Sequence, residues 1–211
     1  MIQTRILSIN DPNAIRAAID ALQADELIVF PTETLYGLAG RINEISLQNI
    51  YAAKQRPEEK AIPVLIGGLE QLEQLATSIK PQVLALMQAF WPGALSLVLP
   101  KKEGLPATLT PYPGLAVRMP DHPFALQLLR QTGPLAVTSA NISGGLNPTT
   151  AEEVYAQLNG RVSLILDSGR HPGGKASTIV DCQGEVPVLL REGPVPFDNI
   201  LEAWNQDTYP T

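Results

Sequence analysis

Hydrophobic residues along the chain follow two patterns. Short apolar runs bounded by turn residues predict strands, and apolar residues spaced three or four positions apart predict helices. The predicted strands are residues 4–9, 27–30, 62–66, 95–99, 115–118, 135–138, 164–167, 178–181 and 188–190. The predicted helices are residues 12–22, 44–54, 69–76, 81–90, 124–130 and 150–158.

Helices and strands alternate throughout, and the last third of the chain is richer in strands. This order favours an α/β fold, a single domain with a mixed, twisted sheet. The sequence contains no internal repeat and no convincing linker, so we expect one domain over residues 1–211. Residues 196–211 are expected to form a short C-terminal extension.

Composition narrows the chemistry that the domain can perform. The chain has 15 Lys and Arg against 21 Asp and Glu, a net charge of −6. This balance argues against nucleic-acid binding driven by bulk charge, but it allows a local basic pocket. One cysteine excludes an intramolecular disulfide and a multi-cysteine zinc site, and two histidines leave little room for a His-rich metal centre. Thr, Ser, Lys, Arg, carboxylates and backbone groups must therefore supply the chemistry.

The sequence also bears on location. No run approaches the ~20 apolar residues of a membrane span. The first ten residues lack the charged and then apolar pattern of a signal peptide. We expect a cytoplasmic protein without a membrane partner.

The segment Pro31-Thr-Glu-Thr-Leu-Tyr-Gly37 directly follows an apolar strand. It therefore lies at the carboxyl end of that strand, where ligands bind in open α/β sheets. Two threonine hydroxyls flank one carboxylate there, and Tyr36-Gly37 permits a tight chain reversal. The alternative is a strand-to-helix turn in which Thr32 or Thr34 only caps a helix.

The segment Lys54-Gln-Arg56-Pro-Glu-Glu-Lys60 is a cationic helix end. It could clamp a polyphosphate, because Arg offers planar bidentate contacts and Lys a point charge. The alternative is a solvated helix end, since the helix macrodipole favours cations at the C-terminus.

A third segment, Thr138-Ser-Ala-Asn-Ile-Ser-Gly-Gly145, ends a strand in small hydroxyl and amide residues. Its two glycines let backbone N–H groups approach a ligand, as in anion-binding turns. The alternative is a flexible loop of small residues. Arg118 and Arg191 each lie at the end of a strand, either paired at the surface or part of a site.

One segment resembles a P-loop but lacks two of its features. Gly169-x-x-x-x-Gly174-Lys175 nearly matches a P-loop, but Ala176 replaces the hydroxyl residue that binds magnesium. Residues 177–181 are β-branched and predict a strand where a P-loop requires a helix. A standard P-loop NTPase is therefore not expected.

Taken together, the segments resemble the YrdC/Sua5 family of threonylcarbamoyl-AMP synthases, and in particular its short bacterial type. The resemblance covers about residues 10–195 and implies a twisted YrdC-type fold with a central ligand cavity. The segments that carry it, in the order of the family, are Pro31-Thr-Glu-Thr-Leu-Tyr-Gly-Leu38, Lys54-x-Arg56-Pro57, Val117-Arg-Met-Pro120, Ser139-Ala-Asn141-x-Ser143-Gly144, Ser177-Thr-x-Val-Asp181 and Leu190-Arg-Glu-Gly193.

The resemblance implies that L-threonine, bicarbonate and ATP, with Mg²⁺, give L-threonylcarbamoyl-AMP and pyrophosphate. A separate threonylcarbamoyl transferase complex would then modify adenosine 37 of tRNA, and direct contact of this chain with tRNA stays open. No nucleophilic side chain is required, because nucleotidyl transfer relies mainly on positioning and charge neutralisation. No protein ligand for the metal is identified.

Roles for individual residues also follow from the resemblance. L-threonine would be bound by Thr34, Arg118 and Thr138. Lys54 and Arg56 would be the catalytic residues, because they would neutralise charge on the ATP phosphates. The full set of implied nucleotide-binding residues is Lys54, Arg56, Lys60, Ser139, Asn141, Asn147 and Arg191.

Three positions depart from the pattern of the longer family members. Lys60 stands where those members often have Asn, and we expect it to join the phosphate cluster. Asn147 stands where they have a Ser that binds ATP. Leu65 replaces a His that contacts L-threonine, so the exact threonine contacts stay open.

Two other function classes fit the sequence less well. An RNA-binding module of the YrdC/YciO type without synthase activity is disfavoured by the acidic balance and by the aromatic content of 5%, which leaves few stacking platforms. A carbamoyl-transfer module like those of hydrogenase-maturation proteins is disfavoured because zinc-finger and acylphosphatase-like segments are missing.

Overall fold

The computed structural model describes residues 2–170 and 174–206. Within them the chain forms strands, α-helices and two short 3₁₀ helices. The strands are β1 (Arg5–Ser8), β2 (Ile28–Pro31), β3 (Tyr36–Gly40), β4 (Val64–Leu65), β5 (Leu95–Pro100), β6 (Gly114–Arg118), β7 (Leu135–Ser139), β8 (Leu164–Asp167), β9 (Thr178–Asp181) and β10 (Val188–Arg191). The α-helices are α1 (Ala14–Gln23), α2 (Glu44–Lys54), α3 (Pro81–Phe90), α4 (Pro123–Thr132), α5 (Ala151–Leu158) and α6 (Phe197–Asn205).

All the strands in the described part of the chain join one sheet, in the order β1-β8-β2-β3-β7-β4-β6-β5-β9-β10. β8 pairs in parallel with β1 and β2, β4 pairs in parallel with β6, and β5 pairs in parallel with β9. The other pairs are antiparallel. The predicted α/β fold with a mixed sheet is confirmed.

Successive side chains of a strand point to opposite faces of the sheet, and this sheet buries apolar side chains on both of them. In β2, Ile28 and Phe30 join a cluster that includes apolar residues of α1 and α4. Val29 joins a larger cluster with residues of α2, α3, α5 and α6. Helices therefore cover both faces, and the strand ends stay available for a site.

The segment after β2 is not the strand-to-helix turn that was left open as the alternative for it. Strand β3 follows directly and pairs antiparallel with β2, with Pro31 opposite Tyr36. The sequence obscures this strand because it reads Tyr-Gly-Leu-Ala-Gly, and glycine weakens a strand signal. Close packing explains Gly37, since a Cβ there would lie 2.8 Å from Cγ1 of Val137 in β7.

Two predicted helices also have different boundaries. α1 begins at Ala14 and not directly after Asp11, because the Asp11 carboxylate accepts the Asn13 N–H at 2.7 Å and forms a turn before the helix. The predicted helix at residues 69–76 is a 3₁₀ helix over Leu69–Gln74.

The segment that starts at residue 196, expected as a terminal extension, forms α6. This helix packs against α3, and its Ile200, Ala203 and Trp204 are buried. The described part of the segment therefore belongs to the core of the domain, while residues 207–211 lie outside the described residues. No helix in the described residues has the length and apolar character that crossing a membrane requires.

The packing of α6 predicts that Ile200→Ala destabilises the protein by about 2–5 kcal/mol, because the truncation leaves a cavity in the core. Chemical denaturation measures the free energy of unfolding directly. Glu202→Ala, on the exposed side of the same helix, is the matched control and should stay near the wild type. Equal stability of the two variants would contradict a core role for α6.

Candidate active site

Strand ends and their connecting loops enclose a cavity of about 390 Å³. The turn between β2 and β3 forms one wall, and the ends of β6, β7 and β10 contribute the others. The polar side chains that line the cavity are Thr32, Thr34, Tyr36, Arg56, Ser96, Arg118, Thr138, Ser139, Asn147, Ser177 and Arg191.

Most of the residues predicted from the sequence converge on this cavity. Leu65, the residue at the expected histidine position, lines the same space. Lys54, Lys60 and Asn141 are absent from its lining. The predicted residues that line it are Thr34, Arg56, Arg118, Thr138, Ser139, Asn147 and Arg191.

The β2–β3 turn is held by its own threonines. Thr32 Oγ1 accepts the backbone N–H groups of Thr34 and Leu35, both at 3.2 Å, and donates to the Leu35 carbonyl at 2.7 Å. The hydroxyls of Thr32 and Thr34 lie 3.0 Å apart. This network fixes Thr34 Oγ1 at the cavity wall, which the alternative of a helix cap would not do.

Arg118 is almost fully buried at the end of β6, with 6% exposure. Its Nε donates to the Gly93 carbonyl at 3.0 Å, and its Nη1 donates to Thr34 Oγ1 at 3.0 Å. Its Nη2 lies 2.6 Å from Glu33 Oε1. Burial lowers the pKa of Arg118, and the nearby Glu33 carboxylate opposes that shift.

Arg56 and Arg191 face the same cavity from other elements. Arg56 Nη2 donates to the Ala61 carbonyl at 2.7 Å. Arg191 donates from Nε and Nη2 to the Ser177 carbonyl, at 3.0 and 2.8 Å. Burial lowers the pKa of both guanidiniums, and that of Arg191 is lowered further by Arg118 and Arg56. Three guanidiniums that line one cavity, two of them without a carboxylate partner in the described residues, make this a candidate site for an anionic ligand.

Lys54, predicted to bind phosphate, occupies a different place. Its side chain is 1% exposed, and Nζ donates to the backbone carbonyls of Ser139 and Asn141. A third contact, at 3.3 Å, joins Nζ to Asn141 Oδ1. Burial, and then the charge of Arg56, lower the pKa of Lys54 to about 7. The ammonium group thus supports the loop after β7 from beneath.

Asn141 and Lys60, which the resemblance implies as nucleotide-binding residues, do not line the cavity either. Asn141 Nδ2 donates to the carbonyls of Ile142 and Gly145, at 2.9 and 2.8 Å, so its side chain shapes the loop. The side chain of Lys60 is exposed, and its backbone carbonyl accepts from Arg56 Nε at 3.2 Å. The chain turns after α2 so that the carbonyl of Lys60, and not its ammonium, supports the site.

Sequence reasoning assigned no role to three residues of this region: Glu33, Ser96 and Ser177. The Ser96 and Ser177 hydroxyls are 2.8 Å apart and almost fully buried. A serine inside the apolar run of β5 is the signal that could have drawn attention to Ser96. Glu33 lies in the segment of residues 31–37, but its partner Arg118 is distant in sequence, so no local signal indicates the pair.

The described residues contain no group of three or more His, Cys, Asp or Glu side chains that could hold a metal ion. The P-loop-like segment is described only in part, because residues 171–173, including His171, lie outside the described residues. Its C-terminal continuation is strand β9, as predicted, and Lys175 is exposed.

The chain is similar to proteins of one known family. The model of the Sua5/YciO/YrdC family, which carries the description telomere recombination, matches residues 20–193. The chain belongs to the Sua5/YciO/YrdC family. A threonylcarbamoyl-AMP synthase of Bacillus subtilis (strain 168) is 43% identical over 198 residues, which are 92% of this chain and 57% of that relative.

The chain is also similar to two further proteins, one matched by sequence and one by structure. A threonylcarbamoyl-AMP synthase of Vibrio vulnificus (strain YJ016) is 33% identical over 184 residues, 85% of this chain and 98% of that relative. The crystal structure of Pyrococcus abyssi Sua5 complexed with L-threonine has a TM-score of 0.87 and 38% identity, and the match covers 96% of this chain and 60% of that one. This chain therefore spans somewhat more than half of the longer relatives.

The burial of Lys54 predicts a pH dependence of stability. Its pKa falls from 10.5 to about 7 on folding, so between these values the unfolded chain holds a proton that the folded protein has released. The free energy of unfolding should therefore rise with pH across this window, and Lys54→Met should lose that part of the rise.

Urea denaturation between pH 7 and pH 10 measures the effect as the difference between wild type and variant. Lys102→Met, which removes an exposed ammonium group, is the control and should keep the slope of the wild type. Parallel pH profiles for wild type and Lys54→Met would contradict the shifted pKa.

Proposed function

We propose that this chain is an L-threonylcarbamoyladenylate synthase, which converts L-threonine, bicarbonate and ATP to L-threonylcarbamoyl-AMP and pyrophosphate. The observation that carries the proposal is the convergence of Arg56, Arg118 and Arg191 on one cavity beside Thr34. The carboxylate of L-threonine, bicarbonate and the polyphosphate of ATP are all negatively charged, and a cavity lined by arginines matches them. The threonine complex of a family member with the same fold adds support.

In this proposal, L-threonine binds at the buried end of the cavity. Thr34 and Thr138 offer hydroxyls to the amino acid, and Arg118 offers its guanidinium to the carboxylate. Leu65 lines the cavity at the position where a histidine contact is expected, so it offers the substrate an apolar surface there. The hydroxyl of Ser177, buried beside Ser96, adds a polar group to the same lining.

ATP occupies the more open side. Arg56 and Arg191 face its phosphates, and Ser139 and Asn147 line the nucleotide side. Lys54 and Asn141 serve this subsite by holding the loop that carries Ser139. The exposed ammonium of Lys60 can reach phosphate only if the side chain turns towards the cavity.

The chemistry balances without a covalent enzyme intermediate. The threonine amine attacks the carbon of bicarbonate, water leaves, and an N-carboxylate forms. One oxygen of that carbamate attacks the α-phosphorus of ATP, the bond to the bridging oxygen breaks, and pyrophosphate leaves with the electron pair. The arginines neutralise charge on the phosphates as the bond breaks, and they do so from fixed positions.

Mg²⁺ enters this scheme as part of the substrate MgATP. Among the described residues, Glu33 is the only carboxylate within ion-pair distance of a cavity arginine, and it is paired with Arg118. The metal is therefore held chiefly by ATP phosphates. We further propose that the product passes to a threonylcarbamoyl transferase complex that modifies adenosine 37 of tRNA in the cytoplasm.

The direct test is incubation with ATP, bicarbonate and L-threonine, followed by assay of pyrophosphate and of the acyl-adenylate. We expect Arg56→Ala to lower kcat/KM for ATP roughly 30- to 150-fold, because a charged contact with phosphate is lost. This factor corresponds to a loss of about 2–3 kcal/mol of transition-state stabilisation. The exposed Arg16→Ala is the control.

Two results would count against the proposal in different ways. Unchanged kinetics of Arg56→Ala would remove this residue from the site. Tight RNA binding by the wild type, without threonine-dependent release of pyrophosphate, would replace the synthase by an RNA-binding module.

Bicarbonate provides a separate prediction. In CO₂-depleted buffer, release of pyrophosphate should fall towards background and should recover when bicarbonate is added, because the carbamate is the nucleophile. The assay is the same as above. Turnover that is independent of bicarbonate would show that the carbamate step is wrongly assigned.

A further inference from the structure

The β2–β3 turn directs neighbouring side chains to different places. Thr32 and Thr34 line the cavity, whereas Glu33 between them does not. Both carboxylate oxygens of Glu33 are buried, and no described residue forms an aligned hydrogen bond to either. Its Oε1 lies 2.6 Å from Arg118 Nη2. The carboxylate of Glu33 is therefore turned towards the guanidinium of Arg118.

This ion pair completes a set of three contacts around one guanidinium. Nε is fixed by the Gly93 carbonyl, Nη1 by Thr34 Oγ1 and Nη2 by Glu33. Contacts at three nitrogens fix the plane of the group. Among them only Glu33 carries charge, and a buried cation without a counter-ion is strongly unfavourable.

The arginines of the cavity thus divide into two kinds. Arg118 and Glu33 form a locally neutral pair, whereas Arg56 and Arg191 have no carboxylate within ion-pair distance among the described residues. A ligand with several negative charges is attracted most strongly to the two arginines that lack a counter-ion. A single carboxylate is better matched to a guanidinium whose charge is already partly compensated and whose orientation is fixed.

We propose that Glu33 is a positioning residue that holds Arg118 for the carboxylate of an amino acid and leaves the polyphosphate to Arg56 and Arg191. The inference rests on the proposed function, because it takes L-threonine and ATP as the ligands of these arginines. Glu33 acts through Arg118, so its loss should affect the amino-acid substrate far more than the nucleotide.

The test compares Glu33→Gln with wild type. Glutamine keeps the size of the side chain and removes its charge. We expect the KM for L-threonine, and its Kd by calorimetry without ATP, to rise at least about tenfold, because small displacements of a positioned group are costly. The KM for ATP should change less than about twofold. Glu103→Gln, in an exposed loop, is the matched control and should leave both values unchanged.

The outcomes separate this proposal from the proposed function. If wild type does not bind L-threonine, the function itself fails. If wild type binds it and folded Glu33→Gln binds it equally well, the positioning role fails, and tighter binding would show that Glu33 competes with the substrate. Equal losses for threonine and ATP would also overturn the division between the arginines.

A second variant covers the case in which Glu33→Gln does not fold. Glu33→Asp keeps the charge but shortens the side chain by one methylene group, so Arg118 must shift to keep its partner. We expect this variant to fold and to weaken threonine binding selectively, by less than Glu33→Gln does. Wild-type affinity for L-threonine in folded Glu33→Asp would contradict the proposal.

Discussion

Burial of one positive charge, that of Arg118, constrains the geometry of the whole site. The β2–β3 turn has to bring Thr34 and Glu33 to the end of β6, and the carbonyl of Gly93 has to meet the guanidinium from another side. The sheet satisfies these requirements because β3, β7, β4 and β6 are neighbours. Glycine at position 37 lets β3 approach β7 closely enough.

A second constraint lies beneath the loop after β7. Lys54 ends α2, and its buried ammonium binds carbonyl oxygens of Ser139 and Asn141. The loop that carries Ser139 and Asn141 is therefore attached to the C-terminus of a helix, next to Arg56. Movements of that helix end would move the loop and Arg56 together, which is suitable for a site that relies on positioning.

Much of this could be predicted from the sequence, because the signals are local. Apolar runs located most strands, and Thr34, Arg118 and Arg191 were identified as polar residues at strand ends. The remaining features depend on contacts between distant segments. Thr34 and Arg118 are 84 positions apart, and nothing near Glu33 indicates its partner. The burial of Lys54 was equally hidden, because a cationic helix end normally faces solvent.

In the proposed reaction, three substrates meet in one cavity and the carbon of bicarbonate enters the product. Mass spectrometry of the acyl-adenylate made from L-threonine, ATP and ¹³C-labelled bicarbonate tests it most directly. We expect an adenylate one mass unit heavier than the product made from unlabelled bicarbonate. Absence of that adenylate, or an adenylate that carries no label, would contradict it.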